Sequence, residues 1–185
     1  ESSLDALESL SARTGWTPGR SSIRPTAESI AHKAQLLQNA CARYVSVRDY
    51  VLHRIFRISV SSKSFLDPKL FCNEDTVVQS RRTADERQLA SRERMTAFVE
   101  NLFPYDSLAE GTHHWVMWFL LDRDEDETHH HISEEETNKT IEKELSSHLE
   151  GKNDFEFVWY RNPKPSVLDG VTYHVQVFWR RKKEN

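Results

Sequence analysis

The chain has 185 residues, which is enough for one ordinary domain of about 100–150 residues plus an appendage. Its hydrophobic content of 37% can supply a core, and its net charge of −4 argues against a protein that binds nucleic acid by neutralising phosphates. The longest uninterrupted apolar run, residues 115–121, is far shorter than the roughly 18 residues that cross a bilayer. We therefore expect a globular protein without a membrane-spanning segment, and we do not expect nucleic acid as a partner.

The cysteines and the N-terminal composition bear on the compartment. Cys41 and Cys72 fall on unrelated segments without a CxxC motif, which predicts reduced thiols in an intracellular, reducing compartment. Residues 1–26 contain Asp5 and Glu8, whereas transit peptides are poor in acidic residues. A mature mitochondrial protein and a cytoplasmic protein both remain open.

The first third of the chain reads as helical. Leucines at helical spacing in residues 3–12 predict a helix that "GWTPG" ends. This segment has too little apolar surface to fold alone. We therefore interpret residues 1–25 as an N-terminal arm that docks on the main body or on a partner, and residues 26–185 as a single α+β domain. Apolar residues at steps of three and four from Ile30 to Ile58 predict a long helical region, formed by one helix or by two.

The remaining elements follow from capping motifs and periodicity. The capping boxes "TADE" (83–86) and "SEEE" (133–136) predict one helix running to about Val99 and another that ends at Gly151. Between them, the alternation from His113 onward predicts a strand that is apolar on both faces and therefore central. Two more strands are predicted at 154–162 and 171–180. The order of elements predicts an α+β fold with a small, mainly antiparallel sheet of three or more strands packed by helices.

Three segments together resemble a known family. "NLFPY…GTHHWVMW" (101–118), "FVWYRNP" (157–163) and "SVLDGVTYHVQVF" (166–178) resemble the fungal N-acetylglucosamine-induced protein family, which is mostly catalogued as a domain of unknown function. The resemblance covers about residues 95–180 and implies a fold and the location of a pocket, but no reaction. The chain departs from the family pattern at Leu102, where Asp is usual, and at Gln176, where His is usual. If those side chains serve a site, these departures remove two of its polar members.

The candidate ligand-binding residues lie on the motif loop and the three predicted strands. Adjacent strand residues face opposite sides of a sheet, so only one of His113 and His114 can belong to a single site. A histidine pair without a carboxylate does not predict a metal centre, and "THHH" (128–131) is interpreted as a solvated loop. We assign no catalytic residue and no cofactor, because nucleophile-elbow and nucleotide-binding glycine motifs are both missing. The candidates are Asn101, Tyr105, His113, His114, Trp118, Asn162 and His174.

Two function hypotheses follow. The first is a non-catalytic accessory or interaction protein, a subunit of a larger assembly that contacts other protein subunits through the N-terminal arm and the long helix. A mitochondrial assembly is one of the two locations left open. The alternative is an enzyme or small-ligand binder related to sugars or nucleotide sugars. Its pocket would lie at the strand ends, where His113 or His114 would converge with Asn162 and His174. RNA binding through the short basic segments is a weaker third hypothesis.

Overall fold

The computed structural model describes residues 3–19, 27–44, 47–58, 94–105, 108–120, 132–152, 154–161 and 172–182. The helices within these ranges are α1 (Ser3–Thr14), α2 (Ala27–Arg43), α3 (Val47–Arg54) and α4 (Glu134–His148). The strands are β1 (Thr96–Glu100), β2 (His113–Leu120), β3 (Phe155–Tyr160) and β4 (Thr172–Arg181). The strands form one sheet in the order β1-β2-β4-β3, and every neighbouring pair is antiparallel. The predicted α+β class is confirmed.

Strand β2 is a central strand that is covered on both faces, as its sequence predicts. Met117 and Phe119 point to one side and join the core that α4 covers. Trp118 and Leu120 point to the other side and pack with α3. Because successive strand residues face opposite sides, the continuous apolar run of β2 supplies two separate cores.

Helix α4 covers the first of these faces. The Ser133 side chain accepts a hydrogen bond from the Glu136 backbone N–H at 3.0 Å, so the predicted N-terminal cap is present. Ile141 and Leu145 are four residues apart and wholly buried against the sheet. Past the helix end, Gly151 adopts a left-handed conformation with φ of 80°, which a residue without a Cβ takes readily.

The opposite face is shared by two helices. Leu52 of α3 is wholly buried and packs over the β2 end of the sheet. At the β3 end, Leu7 and Leu10 of α1 pack on Tyr160 and Phe178. The helical part of the N-terminal arm therefore docks on the sheet of its own chain.

The N-terminal helical region is not the single long helix that one of the two predicted alternatives gave. Helix α2 ends at Arg43 and α3 begins at Val47, so the alternative of two consecutive helices is the correct one. Tyr44 leaves the helical path, is buried, and shares a 2.8 Å hydrogen bond between its hydroxyl and His53 Nδ1. The sequence at this point contains β-branched valines, which lose side-chain freedom in a helix.

The helix predicted to run to Val99 is also wrong at its C-terminal end. Residues 96–100 form β1 and pair with β2, with Ala97 opposite Trp118 and Val99 opposite Val116. The backbone ladder with β2 and the packing of alternate side chains on both cores outweigh local helix preference. The capping box at 83–86 lies outside the described residues.

None of the four helices in the described ranges is both long enough and apolar enough to cross a membrane.

Candidate functional site

The central residue of the candidate site is His114, at the start of β2 on the face that α1 and α3 share. Its side chain is 3% exposed, and its ring stacks on Phe178 with 4.5 Å between centroids. Asn101 follows β1 directly, and its backbone N–H donates to the His114 carbonyl at 3.0 Å. Gln176 projects from β4, two residues from Phe178, the register partner of His114. Three separate segments therefore bring polar side chains to one point on the sheet.

The hydrogen bonds of His114 define which ring nitrogen carries the proton. The Tyr105 backbone N–H donates to Nδ1 at 3.2 Å, and because a backbone N–H can only donate, Nδ1 carries no proton. Nε2 therefore carries the proton and donates to Gln176 Oε1 at 2.7 Å. Asn101 Nδ2 donates to the same oxygen at 2.9 Å. His114 is thus neutral and uses both ring nitrogens within the protein.

Burial is consistent with this neutral form. Desolvation lowers the pKa of His114 to about 4, and the hydrogen bond to Gln176 only partly opposes this effect. An uncharged amide oxygen can accept a hydrogen bond from the ring N–H, but it cannot neutralise the charge of an imidazolium. The site therefore contains a neutral histidine at neutral pH.

The same network fixes the loop of residues 101–105. Asn101 Oδ1 accepts a hydrogen bond from the Phe103 backbone N–H at 2.9 Å, which makes a local turn around Leu102. The Tyr105 hydroxyl is hydrogen-bonded to the Tyr160 hydroxyl on β3. Burial raises the pKa of both tyrosines, so both remain protonated. The family-like "NLFPY" motif is therefore a loop that is tied to the sheet at both ends.

The hydrogen bonds of His114 limit the chemistry that its ring can perform. A general base needs a lone pair that reaches a substrate, and Nδ1 of His114 already accepts from Tyr105. A metal ligand needs the same free lone pair. Within the described parts of the chain, no three His, Cys, Asp or Glu side chains are grouped so that they could hold a metal ion. The geometry fits a closed, structural polar network.

His113 lies on the opposite face, which confirms that strand alternation separates the two adjacent histidines. Its exposed ring stacks on Trp179 with 4.2 Å between centroids. Partial burial lowers the pKa of His113, and the nearby charge of Glu100 opposes that shift. His113 cannot contribute to the network around His114.

The remaining candidates do not meet His114. Trp118 and His174 are register partners and stack with 4.4 Å between ring centroids. His174 is four residues along β4 from Phe178, the partner of His114, a separation of about 13 Å at roughly 3.3 Å per residue. Asn162 lies outside the described residues. The structure thus brings together Asn101, Tyr105 and His114 and holds Trp118 and His174 as a second pair.

Gln176 is the network member that sequence reasoning missed. The resemblance implied a histidine at this position and therefore the loss of a polar member, whereas the Gln176 side chain accepts hydrogen bonds from both His114 and Asn101. The signal that could have found it is its place on the same strand face as His174, two residues away. At the other departure, Leu102 is 55% exposed.

The comparisons with known proteins give one match. The model of the family described as "Protein of unknown function (DUF3605)" matches residues 24–178, which includes all four strands except the last residues of β4. No curated protein and no solved structure matches the chain.

Proposed function

The chain belongs to the DUF3605 family, whose description assigns no function, and we propose that it is a non-catalytic interaction protein that binds another protein through helix α2. The observation that carries this proposal is the orientation of α2. Its apolar residues Ile30 and Ala34 are exposed to solvent. By contrast, Leu7 and Leu10 of α1 pack on the sheet, as do Ile141 and Leu145 of α4.

The orientation of α2 follows from the exposure of its side chains. Ser29, Lys33 and Leu36 are the half-buried residues, and their spacing of three and four marks the side that is turned toward the protein. Ile30 comes one residue after Ser29, about 100° around the helix axis. Its side chain is 55% exposed, and Ala34, on the next turn of the same stripe, is also exposed. No side chain that is described in α2 is buried.

An exposed apolar stripe has a cost for the free chain. Short helices are marginal in water, and most of their stability in proteins comes from burying such a stripe. In the second turn of α2, the His32 ring makes an edge-to-face contact with Phe103 at 5.5 Å between centroids, which leaves Ile30 and Ala34 exposed. A partner that covers Ile30 and Ala34 would supply the missing burial. This is the physical reason for placing the interaction surface here.

The polar network supports the same proposal from another direction. His114 has both ring nitrogens engaged and is almost inaccessible, so this cluster is better explained as a tie between loop and sheet than as an active site. A sugar- or nucleotide-sugar pocket at the strand ends has less support, because His113, His114 and His174 occupy three separate places. The link to N-acetylglucosamine that the resemblance carries stays a prediction, as does a mitochondrial location.

The N-terminal arm was expected to contact other subunits, and the proposal does not assign it that role. Leu7, Leu10 and Trp16 are buried on the sheet of their own chain, so these side chains are not free to meet a subunit. Helix α2 is therefore the part of the predicted partner surface that the proposal retains.

The test is the native size of the protein in extracts of the cells from which it comes. We expect the wild-type protein to migrate in a particle larger than one copy of its own chain, as sized by denaturing electrophoresis of the same extract, and the Ile30→Glu variant to migrate as a monomer. Asn39→Glu is the matched control, since residue 39 is also exposed but lies on the far side of α2 from Ile30. A wild-type monomer in the native extract, or an Ile30→Glu variant that stays in the large particle, would contradict the proposal.

A further inference from the structure

The segment of residues 3–19, here named the cover segment, lies outside the part of the chain that matches the family but covers part of that domain. The family match begins at residue 24. Leu7, Leu10 and Trp16 of the cover segment are 1%, 8% and 5% exposed, and they pack on Tyr160 and Phe178 of the sheet. A face of the family domain is therefore buried by residues that the family model does not include.

The cover segment holds its own shape. The Thr14 hydroxyl donates to the Leu10 carbonyl at 2.9 Å, and the Ser11 hydroxyl donates to the Thr17 carbonyl at 3.1 Å. Gly15 has φ of 69° and donates its N–H to the Ser11 carbonyl at 2.9 Å, which reverses the chain after α1. These bonds all lie within the segment and place the Trp16 ring beside the helix. In the folded chain, the segment thus presents its helix and the Trp16 ring to the sheet together.

The face that the cover segment covers, around Tyr160 and Phe178, is here named the groove, and its composition is that of a helix-binding surface. Its floor is apolar and aromatic, with Tyr160 and Phe178 stacked in nearly parallel planes and with Val158 and Leu108 packed beside them. Its rim is charged. The Arg180 guanidinium lies 4.7 Å from the centre of the Trp16 ring, and its Nε–H donates a hydrogen bond to Glu156 Oε1 at 2.6 Å. Apolar anchors in a desolvated centre with a polar rim are the usual features of a protein-binding surface.

We propose that this groove binds an amphipathic helix from a partner protein, and that the cover segment occupies the groove in the free chain. The bound segment defines the chemistry of that partner. Its buried residues are Leu7, Leu10 three residues later, and Trp16 nine residues after Leu7. The partner helix displaces the cover segment by presenting the same pattern. This surface is separate from α2, so the proposal does not depend on the function proposed above.

Tethering controls when the groove is available. A segment joined by a short connection acts at an effective concentration in the millimolar range, so a free helix of equal intrinsic affinity competes poorly. The partner must therefore bind more tightly or be held nearby by another contact. The cover segment makes the groove respond only to such a partner.

The experiment uses the full chain with a specific protease site placed within residues 20–26. The probe is a fluorescently labelled peptide of residues 3–19, followed by anisotropy. After cleavage we expect the labelled peptide to exchange into the groove and to bind about 100-fold more tightly than it binds the uncut chain. A Leu7→Asp peptide should not bind, whereas a Ser9→Asp peptide, altered at an exposed position, should bind as the wild type does.

A second variant gives the same answer without cleavage. Leu7→Asp in the full chain should release its own cover segment, so the wild-type peptide should bind to this variant while it remains folded by circular dichroism. The proposal is overturned if the cut segment does not exchange, or if cleavage or Leu7→Asp unfolds the domain. Either result means that α1 is a permanent part of the core. Equal binding of the Leu7→Asp peptide would also overturn it.

Discussion

The two faces of the sheet are made by the same strands but are stabilised in different ways. Beneath α4, β2 and β4 contribute side chains such as Met117 and Val175 to one continuous apolar core. On the opposite face, the apolar contacts divide between α3 and α1, and the polar network of His114, Asn101 and Gln176 lies on the same face. In a continuous apolar layer, stability is lost mainly when a substitution leaves a cavity. In a polar network, stability is lost when a buried donor or acceptor is left without its partner.

The largest effect is expected on the α4 face. Leu145→Ala removes a wholly buried side chain and should lower the free energy of unfolding by about 2–5 kcal/mol, because the core cannot collapse fully around the cavity. Urea denaturation of the two chains measures the difference. Lys143→Ala, at an exposed position of the same helix, is the control and should change stability by less than about 0.5 kcal/mol. A loss below about 1 kcal/mol for Leu145→Ala would contradict the view of α4 as a continuous apolar cover.

The next effect is a pH dependence that comes from the network face. Burial holds the folded-state pKa of His114 at about 4, below the ordinary value of 6.5. Between these values the unfolded chain binds a proton that the folded chain does not, so stability falls as the pH is lowered from 6.5 to about 4. The loss should reach about 3 kcal/mol at the lower end of this window.

Unfolding of the wild type and of His114→Gln at several pH values between 4 and 7 measures this contribution. The variant has no titrating ring at this position, so its stability should vary less with pH than that of the wild type. Parallel pH profiles for the two chains would show that His114 does not carry the effect.

A smaller effect is expected from removing the shared acceptor. Gln176→Leu leaves His114 Nε2–H and Asn101 Nδ2 without the oxygen that both use, and it should cost about 1–3 kcal/mol. A double-mutant cycle with Asn101→Ala tests whether the residues act together. The combined loss should be less than the sum of the two single losses, since each variant breaks the same contact. Additive losses would argue that the network is not one unit.

The smallest effect on stability is expected at Leu102, which lies next to Asn101 but outside the network. Leu102→Asn changes a side chain that is more than half exposed and should alter stability by less than about 0.5 kcal/mol. Asn101→Ala, one residue earlier, should cost more, because the Asn101 side chain bonds both Gln176 and the Phe103 backbone. Thermal unfolding of the two single variants compares them directly. Equal losses would mean that the loop is stabilised by something other than these bonds.

Local sequence patterns predicted the elements with strong periodicity. The helix capped by Ser133 and the strand that begins at His113 are present as predicted, because a capping box and a run that is apolar on both faces each specify one local structure. Residues 96–99 were predicted as helix and form a strand, since only the neighbouring strand β2 supplies the hydrogen bonds that favour that form. The break between α2 and α3 coincides with a contact that periodicity does not predict, the hydrogen bond between the buried Tyr44 and His53.

For the candidate site too, some features followed from the local sequence and others from the tertiary structure. Alternation alone separated His113 from His114, because the side-chain period of a strand does not depend on its neighbours. Which polar residues meet His114 depended on the register of β2 with β4, and that register aligns His114 near Gln176 and leaves His174 about 13 Å away.

The sequence by itself determined the fold class, the central strand, the separation of the adjacent histidines and the amphipathic character of α1, α2 and α4. These properties are local, because they follow from helix and strand periodicity and from capping chemistry. Only the tertiary structure decided that Leu7 and Leu10 of α1 are buried while Ile30 of α2 is exposed. It also decided that Gln176 completes the network of His114. An apolar stripe shows that a surface favours burial, but the arrangement of the whole chain decides which surface covers it.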